Sequence, residues 1–248
     1  EDDKEMAGAD NVIAILKDET TAVLGTDGVA LVNQVLAKLT SDQLKALVGA
    51  TEIAGQDLDT TAATWVTNNI TVTPVSASRP VVIARGSFAE ARIVTALLDA
   101  SLTAAGVATV IEDIDGFRDV TLNQLVFGDV DIAPEFAAST LRFVSGYGSL
   151  ATGDIDEVTE RLRQYLRVRD LTVLEPSPAV STNTFVVTPE TSQRLGLTRI
   201  SDLAQYAPST TDQPDGPDSL PGGLPGSGAD DLGVGSSGPE VVRLQIEL

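Results

Sequence analysis

The stretch PVVIARGSFAEARIVTALLDASLTAAGVATVIEDI, residues 80–114, decides the fold. Val81, Val82 and Ile83 form a β-branched run. The glycine and serine of ARGSFAE make a turn. Phe88, Ile93, Leu97 and Ala100 then lie along one side of a helix, and a second apolar run follows at 107–111. Strand, turn, helix and strand in that order open a β-α-β unit.

The alternation continues on the C-terminal side. FGDVDIAPEF (127–136) supplies a third short strand and a turn, and GDIDEVTERLRQYLRVRD (153–170) reads as a helix with Ile155, Val158, Leu162 and Tyr165 inward. LTVLEP (171–176) is a fourth strand. TNTFVVTPETSQRLGLTRISDLAQYAP (182–208) reads as a buried strand, a proline-started helix, a glycine stop and a second short helix. Strands alternating with helices predict an α/β fold.

On the N-terminal side, DNVIAIL (10–16) has the look of a short buried strand, and Asp27 opens a helix on which Leu31, Val32, Val35, Leu36 and Leu39 recur at three and four residues. In TSDQLKALVGA, Thr40 and Gln43 have the spacing of a capping box. Asp59 is expected to cap the helix that carries Trp65 and Val66. NNITVTPVSASRP (68–80) lacks helical period and contains two prolines among small polar residues, so 71–79 reads as a linker between a segment 1–70 and a segment 80–207. Residues 208–240 are dominated by Gly, Pro, Ser and Asp. That composition does not offset a backbone ordering cost of roughly 1–2 kcal/mol per residue, and it predicts a flexible stretch before a short terminal element at 241–248.

Composition narrows the function. Thirty-six acidic against 16 basic residues give a formal charge of −20, which repels phosphate backbones and argues against a nucleic-acid partner. With no histidine and no cysteine, the commonest general base, the commonest zinc ligand, thiolate chemistry and disulfides are all absent. A Ser-His-Asp relay at Ser87, Ser139 or Ser177 is excluded, and no G-x-S-x-G elbow surrounds any of them. No apolar run reaches 18 residues and no basic, apolar leader precedes Glu1, so the expectation is an exported chain whose signal segment was removed, or a fragment.

Several residues have two readings. The turn at Gly86 and Ser87 sits where backbone amides of a helix N-terminus receive a polar or anionic group, and it is equally an ordinary βα loop. Arg85 is either a partner for a ligand carboxylate or a solvated surface charge. Pro134, Glu135 and Phe136 follow a strand at the edge where open α/β sheets collect ligands, although Phe136 also suits a core. The pairs Asp113/Asp115 and Asp129/Asp131 have neither calcium-loop spacing nor a nucleophile nearby and read as solvated turn aspartates.

Taken together, these stretches resemble the substrate-binding proteins of ABC importers for glycine betaine, choline, carnitine and related osmoprotectants. ARGSFAEARIV (84–94) is similar to the family's GSKxFTEQxIL, with Phe88, Glu90 and Ile93 matching and the family's lysine and glutamine falling on Gly86 and Ala91. DIAPEFAAS (131–139) resembles DLYPEYTGT, and PSPAVSTNTFVV (176–187) resembles PAPANNTYAL. ETSQRLGLTRISDLAQYA (190–207) is close to ETAEKLGLKTISDLAKYA and is the most specific of these matches. EDDKEMAGADNVIAILKDE (1–19) is similar to LEDDKxxFPxxNxxPVVRKD, which belongs to the family's last part. The end therefore precedes the beginning, as in a circular permutation or a span across a tandem junction.

The resemblance implies a type II, two-lobed periplasmic-binding fold with its second lobe incomplete. It implies a non-catalytic receptor that closes on a small solute and delivers it to permease subunits, outside the cytoplasm, either in the periplasm or at the cell surface on a lipid anchor, with no cofactor and no metal. The family holds its quaternary ammonium in a box of tyrosines, two of which fall on Phe136 and Phe185. On this basis the expected ligand-binding residues are Arg85, Ser87, Phe88, Phe136, Ser139, Asn183, Thr184 and Phe185. The alternative function is a degenerate binding domain that serves as a scaffold or interaction module.

Overall fold

The computed structural model of the chain describes residues 8–115, 118–181 and 186–206. The described residues fall into two units, one of 8–181 and a smaller one of 186–206. Each is considered by itself.

In the larger unit, β1 (Val12–Lys17) leads into α1 (Asp18–Lys38). A break at Gly25, with φ 64° and ψ −176°, divides α1, a conformation that excludes a β-carbon. The apolar stripe Leu31, Val32, Val35 and Leu36 lies beyond that break, in the part that Asp27 was expected to open. The box at α2 (Ser41–Val48) is closed: Gln43 N–H donates to Thr40 Oγ1 at 3.3 Å and Thr40 N–H to Gln43 Oε1 at 3.0 Å. After a π turn at Gly49–Ile53 comes α3 (Leu58–Asn69). Its cap is Asp57 and not Asp59, because Asp57 Oδ1 accepts from Thr60 N–H at 2.8 Å while Asp59 already lies in the first turn.

Residues 71–79 form neither helix nor strand, yet they run along this unit: Val75 is buried and its N–H donates to the Ala105 carbonyl at 2.9 Å. There follow β2 (Val81–Arg85), α4 (Ala89–Ala104), β3 (Thr109–Asp113), α5 (Arg118–Phe127), β4 (Ile132–Phe136), α6 (Ala137–Ser145), α7 (Ile155–Arg167) and β5 (Leu171–Val173).

The five strands make one mixed sheet in the order β3-β2-β4-β1-β5. β2 is parallel to β3 and β4, whereas β1 runs antiparallel between β4 and β5. VIAIL is apolar throughout because both faces of β1 are covered. Val12, Ala14 and Leu16 join the core formed with α1 to α4, and Ile13 and Ile15 join the core formed with α5, α6 and α7.

The smaller unit contains α8 (Pro189–Leu195) and a 3-10 turn at Ile200–Tyr206. Thr188 caps α8, Pro189 opens it, and Gly196 ends it at φ 66°. The expected proline start and glycine stop are both present.

Some expectations are corrected. Phe88 is 66 % exposed, since it precedes the first helical residue and does not share the inner stripe of Ile93 and Leu97. Tyr165 lies at the surface while Leu166 turns inward with Val158 and Leu162. Asp131 is not a solvated turn residue: it is 2 % exposed, and both its oxygens accept from Arg79 at 2.7 Å. Val186 and Val187 are exposed and outside any strand, and the rest of the strand expected there, like 208–248, lies outside the described residues. Helices α5 and α6 were not anticipated.

Candidate functional site

β2 and β4 are parallel neighbours that end side by side, and both pass into helices at that edge. β2 gives way to Gly86, Ser87 and Phe88 before α4. β4 runs into α6 without a loop, with Phe136 as the cap residue. Between them opens a cleft of about 510 Å³. Open α/β sheets collect ligands at this carboxyl edge, because strand ends and helix starts converge there.

The antiparallel register of β1 adds a third side. Val12 pairs with Phe136, so the residues just before Val12 emerge at the first turn of α6. There Asp10 Oδ1 accepts from Ser139 N–H at 2.8 Å, and its other oxygen accepts from the Ser139 hydroxyl. Phe136 has no side-chain oxygen with which to cap α6, and Asp10 performs that task from the segment that leads into β1.

Glu135 lies beside it, 7 % exposed. Its Oε2 accepts from Arg118 Nε at 2.8 Å, from Thr140 Oγ1 at 3.3 Å and from Phe136 N–H at 3.4 Å. Burial pushes the Glu135 carboxyl above its ordinary value, against the opposing pull of Arg118 and of these hydrogen bonds. Phe88, Phe136 and Phe143 bring ring surface to the cleft, and Ser87, Ser139 and Ser181 bring hydroxyls.

Of the residues expected from sequence, Ser87, Phe88, Phe136 and Ser139 line this one cleft. Arg85 does not. Its register partner across β2 and β3 is Asp113, which it grips with both arms, Nε to Oδ1 at 2.6 Å and Nη2 to Oδ2 at 2.8 Å. Asn183, Thr184 and Phe185 lie outside the described residues. Asp10, Arg118 and Phe143 were not anticipated: Asp10 reaches the site only through the pairing of β1, and the other two stand on helices that the sequence reading missed. Among the described residues, no group of three or more acidic side chains is placed to hold a metal ion.

Residues 79–230, well over half of the chain, match the family OpuAC, the substrate binding domain of ABC-type glycine betaine transport systems. The chain belongs to this family. Its fold is accordingly of the periplasmic-binding-protein kind, and the five-stranded mixed sheet flanked by helices agrees. OpuAC domains are non-catalytic, bind small solutes outside the cytoplasm and work with ABC transporter components. The match includes β2, β4 and the cleft between them but not β1 or Asp10. No curated protein matches the chain. No described helix is long and apolar enough to cross a membrane.

Proposed function

We propose that this OpuAC-family chain is a solute receptor that captures a small osmoprotectant-like molecule, a quaternary ammonium or a related polar solute, in the cleft at the ends of β2 and β4 and delivers it to a permease. It works in the periplasm or tethered at the cell surface, and it carries out no chemistry on the solute. One observation carries the reading: ring surface from Phe88, Phe136 and Phe143 meets the hydroxyls of Ser87 and Ser139 in one cavity at the ligand edge of the sheet. An aromatic face attracts an ammonium group, each good contact contributing about 0.5–2 kcal/mol, and a phenylalanine offers that face without a hydroxyl.

Titration calorimetry of the full chain with glycine betaine, choline, carnitine and a panel of neutral polar solutes tests the proposal. Saturable one-site heat for a member of the panel is expected. Heat of dilution alone across every solute would leave the scaffold function in its place.

A further inference from the structure

Two helices start at the cleft, and each start offers unbonded backbone N–H groups and a partial positive charge that draw an anion. At α6 that place is filled from within the chain, because the Asp10 carboxylate holds the N–H and the hydroxyl of Ser139. At α4 a carboxylate, Glu90, stands in the first turn and also lines the cleft. Arg118, the one cationic side chain among the described lining residues, is paired with Glu135 at 2.8 Å. The start of α6 and the guanidinium of Arg118 thus each already face a carboxylate of the chain. A cation meets the opposite situation, with Asp10 and Glu90 for its charge and phenylalanine rings for its methyl groups.

We propose that Asp10 is a specificity-determining residue: it occupies the anion-receiving start of α6 and makes the cleft select small organic cations that lack a carboxylate over zwitterions with the same head group. A zwitterion places its carboxylate among like charges, and like-charge juxtaposition is how a site rejects one of two similar ligands. The inference rests on the solute-receptor reading above and concerns which solute that same site prefers.

Choline and glycine betaine are the matched probes, since both carry a trimethylammonium head and differ in a hydroxymethyl against a carboxylate group. Calorimetry on the full chain is expected to show choline binding at least ten-fold tighter. Asp10→Asn keeps an oxygen acceptor for Ser139 N–H, so the fold is expected to persist by circular dichroism while the choline preference falls at least ten-fold. Equal or tighter binding of glycine betaine by the unsubstituted chain overturns the assignment and needs no variant. A folded Asp10→Asn chain with an unchanged ratio also overturns it. Both outcomes leave the receptor reading standing, whereas silence toward the entire panel removes the receptor reading and this inference together.

Discussion

At the scale of single residues, the two buried carboxylates of β4 and its approach respond to pH in opposite directions. Burial pushes Asp131 up, but the bonds from Arg79, Val82 N–H and Thr20 outweigh it and hold the carboxyl below its ordinary value. Its stabilisation is therefore complete above the ordinary aspartate range and is lost as pH falls through the lowered folded value. Glu135 is raised by burial, so its contribution favours folding below the ordinary glutamate range and fades as pH rises through the raised value. Asp131→Asn removes charge-assisted bonds from a site 2 % exposed and is expected to cost about 2 kcal/mol at neutral pH. In denaturant titrations that difference should shrink on acidification, and a difference constant down to strongly acid pH would contradict the assignment. Arg79 thereby gains a structural role: from the end of the segment 71–79 it ties that segment to the residue preceding β4.

At the scale of elements, what was legible follows from whether a signal is local. The cap of α2, the proline and glycine ends of α8 and the apolar run of β1 are written within a few neighbouring residues, and each appears where the sequence places it. The cap of α3 slipped by two residues because DLDT offers two aspartates, and only Asp57 has its threonine three residues on. α5 and α6 were missed for another reason. They are short, each buries only part of one face, and α6 begins directly on the last residue of β4 with no cap of its own to announce it. The direction and partners of β1 are not written in VIAIL at all, since an apolar run states burial but not register. β1 gives the sharpest test at this scale. Ile15 is fully buried in the core shared with α5 to α7 and pairs across to Ala133 and Val173. Ile15→Ala is expected to lower stability by about 2–5 kcal/mol. An unchanged unfolding midpoint would detach the strand from the sheet.

At the scale of the whole molecule, the segment whose resemblance is to the family's last part supplies a strand to the sheet formed by the part that resembles its beginning, so residues 8–181 make one compact unit. The site shows the consequence. Four of the eight residues expected from sequence meet in the cleft, because they stand at or just after the ends of β2 and β4, two strands that a local pattern reveals. Asp10 arrives by chain topology, and Arg85 is drawn away by its strand neighbour Asp113, neither of which a local pattern shows. The central claim is that this cleft binds a small solute through its aromatic surface, and the cleft's most direct reporter is Phe136, the residue on which β4 ends and α6 begins. Titration calorimetry of the unsubstituted chain and of Phe136→Ala, with choline as titrant, tests it. The account predicts saturable heat for the first and at least ten-fold weaker binding for a folded second chain, whereas equal affinity for both would contradict it.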